Sequence, residues 1–270
     1  MPDLVVCVRC HKDPTMITDS VDAARYYTGE NTEVVCAVDG IPELAVRLDQ
    51  GCHIPTYCSR KRWGWGAGLY TLLVEAIEWI WDKYGPCHVC SIDYDTLFIN
   101  EAVDDFALGL ITSEKIGIVG RHIPDNERWR DTFNKEERKL RKKVGEIPTD
   151  YIAGEGVQGG FMLLTQAMIT NMKRAGYFKA PLRFPKEFTT MADDHFIVLV
   201  CRCLGLDIVH GGDPFCCEWK AIRDPRGAEK EGIKVFHPIK MGNAFDHYNR
   251  QLELEMRNYF RKIRGRGELK

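Results

Sequence analysis

The stretch Ser91–Asn100, SIDYDTLFIN, closes a hydrophobic run and sets two carboxylates, Asp93 and Asp95, on either side of Tyr94. An apolar run that ends in such a pair reads as a strand leaving the core, its end given over to chemistry. On an extended segment, residues two positions apart project to the same side. Asp93 and Asp95 are therefore expected to point at one spot, where their like charges call for a cation. Two hard oxygen ligands at a strand end suit Mg²⁺ or Mn²⁺ bound together with a polyphosphate. The competing reading is a pair of exposed turn carboxylates, since Asp is common after strands.

Upstream of this stretch, short β-type runs (LVVCV, EVVCAVDG, HVCSID) alternate with helical patterns, among them VDAARYYTG closing on Gly29 and a long helix from about Ala67 to Lys83. Strands separated by helices imply parallel βαβ units whose carboxyl ends share one edge, where ligands collect. Asp39 and the Asp93/Asp95 pair both fall at such ends. Downstream, IGIVG reads as a further strand and Asn126 to Lys143 as a charged, solvated helix with Trp129 and Phe133 on one apolar stripe. A strand and helix follow in GVQGGFMLLTQAMITNMKRAG, and DDHFIVLVCRCLG is a second helix closed by Gly205. The fold class expected is α/β, a mixed, mainly parallel sheet flanked by helices in one domain of about residues 1–245. Residues 246–270 form a basic amphipathic helix and tail.

Composition narrows the function classes. A chain of 270 residues is long enough to bury a full core, and 44% apolar with 28% charged residues is ordinary for a soluble globular protein. The formal net charge of -2 gives no global attraction to nucleic acid, so no nucleic-acid partner is expected. The first residues, MPDLVVCVRC, read as a strand and not as a signal peptide. Eleven cysteines, scattered through apolar runs, favour reduced thiols and a cytoplasmic setting. The pairs Cys7/Cys10 and Cys87/Cys90 raise a zinc question, but residues three apart on a strand face opposite ways, which favours core cysteines. The C-terminal helix carries Arg257, Arg261, Lys262, Arg264 and Arg266 against Tyr259, Phe260 and Ile263. Packing on the domain is the expectation for it, with weak membrane-surface contact as the alternative.

With the D-x-D pair in that order of elements, the chain resembles the GT-A class of nucleotide-sugar-dependent glycosyltransferases, whose D-x-D motif closes a strand of a Rossmann-like half. The likeness runs from LVVCVRC to the HPIK segment and rests on motif order. It implies a GT-A fold with a nucleotide-binding half of about residues 1–100 and an acceptor-binding half of about 101–245. It also implies a nucleoside-diphosphate sugar donor, most simply UDP- or GDP-linked, a hydroxyl acceptor such as a glycan, and a divalent metal, Mn²⁺ or Mg²⁺.

The resemblance assigns roles residue by residue. Asp39 would contact the base or ribose. In SRKRWGWGAGLYTL, glycines let backbone approach a ligand, and Arg60, Lys61 or Arg62 would meet the diphosphate; Arg62 stands for the three. Arg9 is a further nucleotide candidate of this kind. Asp95 is the expected direct metal ligand, Asp93 is placed both at the metal and against the nucleotide, and Tyr94 is placed against the nucleotide. In EGVQGGFMLLT, Gly159 and Gly160 would leave room for a sugar ring, with Gln158 or Glu155 bonding its hydroxyls. In ADDHF, Asp193 is placed at the substrate or acceptor, with a simple helix cap as the competing reading, and His195 is a substrate contact; Asp194 is the general base if the transfer inverts and a holder of donor or acceptor hydroxyls if it retains. In KVFHPIK, His237 would complete the metal shell and Lys240 would face the diphosphate.

Three other classes compete. A haloacid-dehalogenase-like phosphatase also sets D-x-D after a strand, but on its first strand and with threonine or valine where this chain has Leu97. A sugar nucleotidyltransferase would open with a glycine-rich loop, and RCHKDPTMITD contains no glycine. A non-catalytic nucleotide-binding subunit would bind a sugar nucleotide without consuming it.

Overall fold

Leu4, Val6, Val8 and Cys10 join one buried cluster and Val5 and Cys7 another, so the first strand has core on both faces. Such a continuous apolar run suits the interior of a parallel sheet covered by helices. The structure, a computed structural model, describes residues 1–64, 66–179, 193–217, 225–239 and 250–270. The elements run β1 (Leu4–Cys10), α1 (Pro14–Tyr27), β2 (Thr32–Val38), α2 (Pro42–Val46) with a π-helical turn (Arg47–Gly51), β3 (Thr56–Cys58), α3 (Ala67–Tyr84) and β4 (His88–Asp93). There follow β5 (Leu97–Phe98), α4 (Val103–Gly109), β6 (Ile116–Ile123), α5 (Glu127–Val144), β7 (Gly156–Leu164) and α6 (Gln166–Arg174). The remainder comprises α7 (Asp193–Cys203), β8 (Asp207–His210), β9 (Phe215–Cys217), α8 (Pro225–Lys230), β10 (Val235–His237) and α9 (Arg250–Ile263).

Among the described residues the main sheet has the order β3-β2-β1-β4-β7-β6-β8. β1 pairs parallel with β2 and β4, β2 with β3, and β6 with β8, while β7 runs antiparallel to both of its neighbours. The expected α/β class and mainly parallel mixed sheet are therefore what the chain adopts. The strand order reverses at β1, which opens a crevice beyond the carboxyl ends of β1, β2 and β4. Because β7 is antiparallel, its first residues, not its last, reach that same edge. Cys7 and Cys10 belong to opposite clusters, as do Cys87 and Cys90, so neither pair turns both thiols to one side.

A second sheet, β5-β10-β9, has no counterpart in the strand pattern read from the sequence. β10 pairs antiparallel with β5, placing Phe236 opposite Leu97 and so returning His237 to the neighbourhood of Asp95. α9 packs on this sheet through Met256 and Phe260, which join Leu97, Ile99, Phe236 and Ile239 in a third buried cluster.

The arginines of α9 and the turn after it are turned toward acids of α1. Asp19 accepts from Arg257 at 2.9 Å, Arg261 at 2.9 Å and Arg264 at 2.6 Å, and Asp22 pairs with Arg264 and Arg266. Arg257 is fully buried and also bonds Glu253. Removing one partner from a buried pair of this kind typically costs about 3–5 kcal/mol, because the other charge is left without compensation. These cations are thus engaged within the protein. No helix of the described residues is long and apolar enough to cross a membrane.

Candidate active site

β4 ends at Asp93, and Tyr94 and Asp95 form a turn in which Thr96 N–H donates to the Asp93 carbonyl at 2.9 Å. The two carboxylates converge because of this turn, not through the same-side alternation of an extended strand that the spacing suggests. His237, at the end of β10, completes the group. Its Nε2 lies 3.6 Å from Asp93 Oδ2 and 3.5 Å from Asp95 Oδ1, and one ligand atom from each of the three residues lies within 4.8 Å of the others. Asp95 and His237 are buried, and Asp93 is partly exposed. Two carboxylate oxygens and one imidazole nitrogen form a donor set that Mn²⁺ or Mg²⁺ accepts, with positions left for a diphosphate and water. Gly160 (φ +98°) makes room for the histidine: a Cβ at that position would overlap the imidazole ring.

Arg9 stands in register with Asp93 across β1 and β4. Its Nη2 lies 2.9 Å from Asp93 Oδ1, and its Nη1 donates to Asp193 Oδ2. Burial opposes the charge of this guanidinium, but Asp193 and Asp93 together raise its pKa above the ordinary arginine value. The resemblance places Arg9 against a nucleotide. In the structure both terminal nitrogens of its side chain meet carboxylates, and Asp193, the first residue of α7, is a buried partner of Arg9.

A cavity of about 280 Å³ opens beside the carboxylates. Arg9, Asp39, Arg62, Asp93, Tyr94, Asp95 and His237 all line it, so residues named from far-apart motifs meet at one place. Asp39, expected against the base or ribose, accepts Trp63 N–H at 2.7 Å and Gly64 N–H at 3.0 Å, one on each carboxylate oxygen. It thereby fixes the loop that carries Arg62. Gly40 (φ +61°) is pressed so closely on the Lys61–Arg62 backbone that a Cβ has no space. Of the three cations in this loop, the exposed Arg62 lines the cavity, while Lys61 Nζ lies 4.2 Å from the centroid of the Trp63 ring. Tyr94 is buried and meets the His11 ring edge-on at 4.9 Å, forming part of the wall. A larger hollow of about 690 Å³ lies at the opposite end of β4, beside His88, and shares no residue with this cavity.

The start of β7 faces α7. The Cβ position of Gly159 lies 3.9 Å from Asp194 Oδ2, and Asp194 Oδ1 is 2.7 Å from Nδ1 of the adjacent His195. Gln158 Oε1 is buried with no hydrogen-bond partner among the described residues, as expected of an acceptor that a ligand would satisfy. His195 stands edge-on to Trp129 of α5, with centroids 3.5 Å apart and ring planes at 87°. Trp129 in turn covers Gly156, where a Cβ would come within 2.6 Å of its ring. The sequence marked Trp129 only as part of an apolar stripe. Glu155, named beside Gln158 as a partner for sugar hydroxyls, is committed elsewhere: it accepts from Arg202 at 2.6 and 3.1 Å and contacts His122 at 2.8 Å. Lys240 lies outside the described residues.

No protein-family model matches the sequence, and the comparison with curated proteins returns no match. Solved structures do match. Mouse xyloside xylosyltransferase 1 superposes with a TM-score of 0.50 at 10% identity, over 88% of this chain and 98% of that one. The bifunctional glycosyltransferase WbbM gives a TM-score of 0.56 at 9% identity, over 98% of this chain and 52% of WbbM. A mannosyltransferase from Pyrobaculum calidifontis, solved with GDP-Man and Mn²⁺, aligns at 17% identity and a TM-score of 0.46, over 77% of this chain and 54% of its own. The chain has the GT-A type of fold found in glycosyltransferases, and it spans about half the length of WbbM.

Proposed function

We propose that this protein is a metal-dependent glycosyltransferase that moves a sugar from a nucleoside-diphosphate donor, UDP- or GDP-linked, to a hydroxyl of an acceptor such as a glycan. The observation that carries the reading is the Asp93, Asp95, His237 group at the wall of the 280 Å³ cavity, on the sheet edge where a GT-A fold collects its ligands. A divalent ion bound there, Mn²⁺ or Mg²⁺, supplies charge to offset what builds on the departing diphosphate. Arg62, which lines the cavity, adds a cation for the same oxygens, and Lys240 is a further candidate for that role. Asp39 holds the Arg62 loop in place, and Tyr94 closes the wall.

Asp194 is the general base in an inverting transfer: its Oδ2, facing Gly159, takes the proton of the acceptor hydroxyl as that oxygen attacks the anomeric carbon. Gly159 leaves space for the sugar ring, and Gln158 Oε1 accepts from one of its hydroxyls. His195 and Trp129 border the acceptor side. The free cysteines of the described residues suit a reducing compartment, and we place the protein in the cytoplasm.

The test is a panel of UDP- and GDP-sugars in thermal-shift assays with and without Mn²⁺, repeated on Asp95→Ala and followed by assay of donor consumption. One donor class is expected to raise the melting temperature only with Mn²⁺, and Asp95→Ala to abolish the shift. A wild type stabilised by no sugar nucleotide would sink the proposal. Binding without consumption in the presence of any acceptor would instead favour a non-catalytic subunit.

A further inference from the structure

The backbone of the D-x-D turn is held on every side. Tyr94 N–H donates to the Arg9 carbonyl at 3.2 Å, and the Asp95 carbonyl accepts Ile239 N–H at 3.0 Å. The Tyr94 carbonyl, which belongs to the peptide between Tyr94 and Asp95, accepts Ser20 Oγ at 2.7 Å and Arg257 Nη2 at 3.1 Å. Both donors come from far away in sequence, Ser20 from α1 and Arg257 from α9, and both are buried. The guanidinium of Arg257 already faces two carboxylates, Glu253 and the shared Asp19, each at 2.9 Å. Its contact with a neutral carbonyl is therefore not required for charge. What that contact does is fix the peptide plane from which Asp95 projects, and with it the angle between the two carboxylates.

We infer that Arg257 and Ser20 are positioning residues for the metal-binding pair, which makes the C-terminal helix a structural arm of the site; the inference rests on the metal-dependent reading given above. Groups that orient ligands without touching the metal are typically worth about 10- to 100-fold in affinity. The helix then acts through one carbonyl, and the effect of losing it separates from a general loss of packing. Arg261 supplies the internal comparison. It lies on the same helix and bonds the same Asp19 at 2.9 Å, and its guanidinium is bonded to Asp19 and the Gly267 carbonyl.

The experiment titrates Mn²⁺ into the 270-residue chain, reading unbound Mn²⁺ by electron paramagnetic resonance, alongside urea unfolding of each variant. Wild type is expected to bind and Asp95→Ala to lose binding. Arg257→Lys and Ser20→Ala are expected to weaken Mn²⁺ affinity by about tenfold or more. Arg261→Met should lower the urea midpoint and leave the Mn²⁺ affinity unchanged. Ser20→Ala, the milder change, keeps the test open if the Arg257 variant does not fold. If wild type binds Mn²⁺ and Asp95→Ala does not, yet Ser20→Ala binds as tightly as wild type, the positioning role is overturned while the metal reading stands. A wild type that binds no Mn²⁺ overturns both.

Discussion

Arg9 and Asp93 face each other in register on adjacent parallel strands, with Nη2 2.9 Å from Oδ1, and the other arm of the same guanidinium holds Asp193. One buried cation thus ties the end of β4, which carries Asp93, to α7, the helix that carries Asp194. Arg9→Met should leave a buried carboxylate uncompensated and destabilise the fold by about 3–5 kcal/mol in urea unfolding. Arg9→Lys should recover part of that loss, since a point charge on a flexible stem cannot span two carboxylates as the planar fork does. Equal stability of Arg9→Met and wild type would show that this guanidinium is not what holds the strand and the helix together.

Gly160 and Gly159 are adjacent but should respond differently to alanine. At Gly160 a methyl group collides with the His237 ring and the backbone has φ +98°, so Gly160→Ala should displace the imidazole. Metal affinity is expected to fall by about tenfold or more. At Gly159 the nearest atom to a new Cβ is Asp194 Oδ2 at 3.9 Å, an ordinary contact. Gly159→Ala should therefore keep the metal affinity of wild type, as read by Mn²⁺ titration, and raise KM for the acceptor.

Asp194→Asn tests the base directly. If Asp194 takes the acceptor proton, kcat should drop by about 10²- to 10⁴-fold while donor binding is retained. A small change in kcat with a large rise in acceptor KM would assign Asp194 to holding substrate instead.

Glu155 gives a prediction for pH. Its burial pushes the carboxyl pKa up, but hydrogen bonds from His122 and Arg202 outweigh that and hold it below the usual glutamate value. An unfolded glutamate titrates near pH ~4.3, so the folded chain gives up this proton more readily than the unfolded one. The resulting stability is fully present above that pH and fades as pH falls through the lower folded value. Urea midpoints of wild type and Glu155→Gln should therefore differ most at neutral pH and converge in acid. A gap that stays constant across the range would point to lost packing and not to the ionised carboxylate.

How far the sequence could be read depended on distance along the chain. The alternation of strands and helices, the end of β4 and the pairing of Asp93 with Asp95 are local patterns, and they were legible. His237 was legible only through the likeness of HPIK to a known motif, because nothing in KVFH announces that β10 pairs with β5. The partners of Arg9 and Arg257 were out of reach: Asp193 lies 184 positions from Arg9, and Tyr94 lies 163 positions from Arg257. No periodicity encodes such contacts. Asp39 shows the same limit in another way. Its place at a strand end was readable, but the two N–H groups of the Trp63–Gly64 loop that occupy it come from a segment with no regular pattern.

The pairing of β5 with β10 sets the order in which the site can come into being. Asp93 and Asp95 lie about a third of the way along the chain, at and just after the end of β4. His237 arrives only after β10 has emerged and found β5, and Arg257 later still. The proposed metal site is therefore complete only once Val235–His237 has docked on Leu97–Phe98.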